Sequence, residues 1–190
     1  MRYSSKTATN EYFASILVET EHHKLPKTGK SVGIDLGIKD FVITSEGYKY
    51  KNNRYTKTYQ TLLKRHQQHL SRKNKNSNRY EKQRIKVANI YKKITNSRLD
   101  NLHKVSTELI KKYDLIFLED LNIKGMIKNH KLSKHISDAS WSKFIELLTY
   151  KAEWNNKEIV KIGRFFPSSK TCNSCGYINQ NLNLNIREWT

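Results

Sequence analysis

Residues 31–50, SVGIDLGIKDFVITSEGYKY, decide the reading of this chain. Val32, Ile34 and Leu36 alternate with Gly33 and Asp35, the period of two expected of a strand. Gly37 breaks the pattern, Phe41–Thr44 makes a second strand, and Glu46-Gly47 turns the chain into a third at Tyr48–Tyr50. An acid, Asp35, therefore sits inside an otherwise apolar strand.

Downstream, residues 56–112 contain neither Pro nor Gly and predict two helices. The break falls at RKNKNSN, residues 72–78, where Asn and Ser favour a turn. Val87, Tyr91, Ile94, Leu102, Val105 and Leu109 fall near one helical face, with Arg98 interrupting it. LIFLED (115–120) then reads as a buried parallel strand ending in acids. Residues 122–137 read as polar and irregular. Ser137 or Asp138 can N-cap a helix running to about Asn155 that buries Trp141, Ile145, Leu148 and Ala152. EIVKIGRF (158–165) predicts a last strand. Upstream, EYFASILVE (11–19) reads as a strand and residues 22–30 as a loop, whereas the first ten residues carry no pattern.

Three antiparallel strands, helices, a buried strand ending in Glu119, a helix and a further strand form the order used by RNase H-like folds. In that order the first and fourth strands lie side by side, which would set Asp35 next to Glu119. Two neighbouring carboxylates repel unless a cation neutralises them, and Mg²⁺ (or Mn²⁺) with its preference for oxygen ligands is the natural candidate. Such a site can promote phosphodiester cleavage. The plainer alternative makes Asp35 a turn residue and Glu119 the end of a strand. Asp-x-Gly after a strand also occurs in phosphate loops of actin-like ATPases, but no second Gly-rich loop supports that here.

The chain has 36 Lys and Arg against 17 Asp and Glu, a net charge of +19 on 190 residues. That excess points to a polyanionic partner, nucleic acid above all. The segment from Lys64 to Lys93 holds eleven cations against Glu81 alone, a net of +10. Lys64, Arg65, Arg72, Lys73, Lys75, Arg79, Lys82, Arg84 and Lys86 are the candidate nucleic-acid contacts. A solvated helix face is the alternative, although such faces usually mix signs. His66, His69 and Tyr80 could stack on bases, with surface packing as the plainer role. No stretch of about 20 apolar residues suggests a membrane span, and residues 1–20 lack the apolar core and cleavage site of a signal peptide. A cytoplasmic, nucleoid-associated location is expected.

Cys172-x-x-Cys175-Gly176 offers half of a tetrahedral Zn²⁺ site. A full ribbon needs a second pair about 15–20 residues on, and the sequence stops at Arg187-Glu188-Trp189-Thr190 without one. Free thiols remain the alternative.

Taken together, VGIDLGIKDFVITSEG, the LSRKNKNSNRYEKQRIKVANIYKKITNSRLDNLHKVST region, IFLEDLNIKGM, ISDASWSKFIELLTYKAEW and FFPSSKTCNSCG resemble the RuvC-like C-terminal half of TnpB, a transposon-encoded family related to type V CRISPR effectors. The resemblance implies an RNA-guided, metal-dependent DNA endonuclease linked to transposition and DNA recombination, with guide RNA and DNA as partners. Asp35 matches the first of three metal-binding acids and Glu119 the second; Cys172 and Cys175 match the first half of a zinc ribbon. In that pattern the third acid, in an Arg-Asp-x-Asn-Ala segment, would follow Thr190. Most of a guide-binding N-terminal half would precede residue 11. The expectation is thus a chain cut short at both ends. Its expected parts are the end of a preceding β domain and linker (1–30), a RuvC-like domain (31–166) with a basic helical insertion (56–112), and half a zinc ribbon (167–190). A non-catalytic nucleic-acid-binding remnant or regulator is the rival expectation.

Overall fold

The computed structural model describes residues 3–129, 132–163, 170–172 and 174–181. The segments expected at 164–169 and 182–190 lie outside the described residues. A five-stranded mixed sheet forms the centre. β3 (Ser31–Leu36) pairs antiparallel with β4 (Asp40–Thr44), which pairs antiparallel with β5 (Lys49–Lys51). On its other side β3 pairs parallel with β6 (Leu115–Glu119), and β6 pairs parallel with β7 (Glu158–Ile162). The order across the sheet is β5-β4-β3-β6-β7, so the first strand of the sheet lies against the fourth, as expected. Gly37 makes the β3–β4 turn possible: a Cβ there would stand 2.7 Å from the Asp40 carbonyl oxygen.

Helices cover one face of this sheet. α1 (Tyr55–Ser71) and α2 (Asn78–Lys112) form an antiparallel hairpin broken at the expected place. Ser77 caps α2, its Oγ accepting from the Tyr80 amide at 3.1 Å. α5 (Trp141–Trp154) packs on the C-terminal half of α2 and on the sheet. Val32, Ile34, Leu36, Ile116 and Leu118 meet Leu102, Val105, Leu109, Phe144 and Leu148 in one apolar core. Phe144 is fully buried and stands edge-on to Phe41, ring centroids 4.9 Å apart.

Several expectations need correction. Residues 3–6 form β1 (Tyr3–Lys6), which pairs with β2 (Tyr12–Ser15) in a separate two-stranded ribbon. The expected strand 11–19 ends at Ser15, and Ile16, Leu17 and Val18 are exposed. Residues 122–137 are not irregular; they contain α3 (Ile123–Ile127) and most of α4 (Ser133–Ala139). On α2 the buried residue is Ile90, whereas Tyr91 points outward and its hydroxyl accepts from Gln67 of α1 at 2.9 Å. Neither Ser137 nor Asp138 caps α5. Ser140, in left-handed backbone at φ 54°, separates α4 from α5, and the Asp138 carboxylate caps α1 instead, accepting from the Thr56 amide at 3.2 Å. Ile145 is only partly buried. Among the described residues no helix is long and apolar enough to cross a membrane.

Candidate functional site: two carboxylates and a basic hairpin

The alternation within β3 and β6 sorts their side chains. Val32, Ile34 and Leu36 on β3, and Ile116 and Leu118 on β6, face the helices; Asp35 and Glu119 lie on the opposite face and are exposed. In the parallel ladder Ile34 stands opposite Leu118. Asp35 and Glu119 each come one residue after that pair, at the same end of neighbouring strands. Among the described residues neither carboxylate has a hydrogen-bond or ion-pair partner. Two adjacent, uncompensated acids at a strand end are repulsive by themselves and attractive to a cation. No group of three or more His, Cys, Asp or Glu comes together among the described residues.

The nine cations proposed from sequence are carried by α1, the connection at 72–77 and the first part of α2. Lys64, Arg65, Lys82 and Lys86 are exposed. Arg84 differs, for it is held by Glu81 at 2.6 Å and donates to the Ala8 carbonyl at 2.9 Å. Lys92, from the same run, pairs with Glu11. These two cations dock the β1–β2 ribbon on α2. His66 is not free to stack: Gln83, buried between the helices, donates to its carbonyl at 3.0 Å and lies 2.9 Å from its Nδ1. Burial is the main influence lowering the His66 pKa, reinforced by Arg65 and Lys86.

Cys172 and Cys175 sit in a tight turn and are not bonded to each other. The Gly176 amide donates to the Cys172 carbonyl (2.9 Å) and the Cys172 amide to Tyr177 (2.8 Å). Gly176 is at φ 74°, and Thr171 bridges Ile178. Backbone amides, that of Cys175 first, hold the Cys172 thiol below its ordinary pKa. Such a turn suits thiolate ligation.

Sequence reading missed the role of Arg98. It donates to Asp138 Oδ1 (2.7 Å) and Thr56 Oγ1 (3.1 Å), joining α2, α4 and the start of α1. A lone Arg on an apolar helical face was the available signal, since such a charge needs a buried partner.

Residues 15–130 match the OrfB_IS605 model, described as "Probable transposase". The chain belongs to the OrfB_IS605 family. Residues 141–190 match the Cas12f1-like TNB domain model. This OrfB_IS605 chain is 40% identical over 186 residues to a Streptomyces pristinaespiralis protein named as an RNA-guided DNA endonuclease, covering 98% of itself and 46% of that relative. It is 28% identical over 183 residues to InsQ of Escherichia coli (strain K12), named likewise (88% and 45% covered). It is 24% identical to the TnpB-like protein L79 of Acanthamoeba polyphaga mimivirus (94% and 36% covered). The chain therefore spans less than half the length of these relatives.

Its fold resembles part of Cas12f. The structure of a Cas12f1–sgRNA–target DNA complex matches with a TM-score of 0.54 at 15% identity, over 90% of this chain and 43% of that one. A CRISPR-Cas12f ternary complex gives 0.52 at 18% identity, over 90% and 35%. The OrfB_IS605 chain is thus TnpB-like by sequence and Cas12f-like in its mixed α/β architecture.

Proposed function

We propose that this chain is the strand-cutting part of an RNA-guided DNA endonuclease linked to transposition, with Asp35 and Glu119 as its metal-binding acids. The observation that carries the reading is the pair itself: two exposed carboxylates, adjacent on parallel strands, without a compensating cation among the described residues. The donor set is all oxygen and suits Mg²⁺ or Mn²⁺. When bound, such an ion offsets charge on a phosphate and makes a water more acidic. Asp35 and Glu119 fix where that ion stands, and the open sheet face leaves room for a phosphodiester.

The sheet order supports an RNase H-like, RuvC-like assignment for residues 31–166, with 56–112 as a basic insertion that holds nucleic acid through its phosphates. DNA is the substrate and a guide RNA the partner, by likeness to the named relatives. The turn at Cys172–Gly176 supports the first half of a Zn²⁺ ribbon over 167–190, and residues 1–30 the end of a preceding β domain with its linker.

The test begins with Mn²⁺ titrated into residues 1–190 and followed by electron paramagnetic resonance. One weak site is expected, lost in Asp35→Ala and in Glu119→Ala. Cleavage of labelled single-stranded DNA is then measured in a form continued to the relatives' length, where either substitution should abolish it. Mn²⁺ binding that survives both substitutions overturns the assignment; a longer form that never cuts, with metal bound, favours a nucleic-acid-binding regulator.

A further inference from the structure

A second set of cations gathers at the carboxylate end of the sheet, away from the hairpin tip. β3 carries Asp35 near its C-terminal end, β4 begins at Asp40, and the ladder sets Asp40 opposite Lys51. Lys39 and Lys51 therefore share the end of the sheet that holds Asp35. From Lys51 the chain passes through Arg54 directly into α1. Lys39, Lys51, Arg54 and Lys57 line a cleft of about 670 Å³. A smaller cleft of about 220 Å³ shares Arg54 and Lys57 and adds Lys134 of α4. Among the described residues none of these five cations is in an ion pair. Of the acids lining the two clefts, Asp138 is already neutralised by Arg98, which leaves Asp40.

The groove is built rather than incidental. Asn52 donates to the Ile38 carbonyl at 2.8 Å and accepts from the Arg54 amide at 3.3 Å, tying the β3–β4 turn to the start of α1. Arg54 is held at φ 48°, a left-handed conformation costly for a long side chain. In the first turn of α1 the Thr56 amide donates to Asp138 and the Lys57 and Thr58 amides to the Arg54 carbonyl, so the side-chain cations, and not the helix end, supply the attraction. The hairpin tip lies about 25 Å away along the 17 residues of α1.

We infer that this groove is a second phosphate-backbone site, holding single-stranded DNA as it approaches Asp35 and Glu119. A duplex is stiff over about 150 base pairs, whereas a single strand can follow concave clefts. Commitment to DNA rests on the cleavage reading above, since the strand that reaches the acids is the one to be cut. The groove itself needs only phosphates.

The test measures binding of a fluorescein-labelled oligo-dT 12-mer to residues 1–190 by anisotropy, in EDTA so that no metal chemistry intervenes. The combined variant is Lys39→Gln, Lys51→Gln, Arg54→Asn, Lys57→Gln and Lys134→Gln; Asn is chosen at 54 because it tolerates left-handed backbone. Affinity should fall about tenfold or more. The slope of log affinity against log salt should shrink by about 0.7 for each phosphate that the variant no longer neutralises. Lys57→Glu and Lys134→Glu, each alone at an exposed position, should weaken binding several-fold without moving the unfolding midpoint. Affinity within twofold of wild type in these single variants overturns the groove. An oligo-U 12-mer that binds tenfold more tightly than oligo-dT overturns DNA as its occupant. Asp35→Ala should leave the binding intact, so a protein that binds here yet never cuts in its longer form overturns the cleavage reading and not the groove.

Discussion

Arg98, in the middle of α2, and Asp138, near the end of α4, meet at 2.7 Å with side chains only 21% and 9% exposed. The same carboxylate accepts from the amide and hydroxyl of Thr56. One acid thus neutralises a half-buried guanidinium and caps the helix that begins the hairpin. Asp138→Ala removes both functions and should cost about 3 kcal/mol, from the abandoned charge and the missing cap. Asp138→Asn keeps the cap and should cost less. Urea unfolding of the two variants checks the order; equal losses would contradict it.

Phe144 sets the worth of the apolar core. It is fully buried beneath the sheet, edge-on to Phe41. Phe144→Ala should destabilise by about 3–5 kcal/mol, and Phe144→Leu by clearly less. Denaturant unfolding reads both, and a loss under about 1 kcal/mol would mean that α5 packs on the sheet more loosely than its burial implies.

Asp114 predicts an acid limb of stability. Burial alone would raise its pKa, but the amides of Gly29 (2.6 Å) and Thr28 (2.7 Å) and the Lys157 ammonium (3.0 Å) bring it down from 3.8 to about 2. Because the folded value is the lower one, this contribution is present above about pH 4 and is lost as pH falls towards 2. Asp114→Asn should flatten the urea midpoint between pH 4 and 2, and should lower it at neutral pH by leaving the buried Lys157 uncompensated. Parallel profiles for wild type and variant would contradict this.

Asp35 and Glu119 predict the reverse of a structural pair. Among the described residues neither is in an ion pair, so Asp35→Asn or Glu119→Gln should leave metal-free stability within about 0.5 kcal/mol or raise it. Mg²⁺ should raise the melting temperature of wild type and not of either variant. Thermal scans with and without Mg²⁺ decide this, and a marked destabilisation in EDTA would point to a structural role.

The sheet was legible because its signals are local. Val32, Ile34 and Leu36 alternate around Asp35, and the apolar run of β6 ends at Glu119, so a known strand order was enough to expect β3 against β6. The turn at 72–77 was equally plain from Asn and Ser. What escaped depended on partners distant in the chain. Tyr91 fitted the apolar face by spacing, yet α2 changes company along its length: Ile90 and Ile94 are buried in its first half, while Leu102, Val105 and Leu109 enter the sheet core. Asp138 had the position of an α5 cap, and only the fold brings Thr56, 82 residues earlier, to its carboxylate. The cations at 39, 51, 54, 57 and 134 form no run, and only the packing of the β3–β4 turn, the end of β5, the start of α1 and α4 assembles them into a groove.

The single span of α2 has a mechanical consequence. Its 35 residues make a rod of about 52 Å, gripped at one end by the core and accompanied at the other by α1. No Gly or Pro interrupts it to act as a hinge. A displacement of its far end has no flexible joint in which to dissipate before it reaches Leu102 and Leu109. Those residues pack beneath the strand that carries Asp35, so the far end of the hairpin and the floor of that strand belong to one unbroken helix.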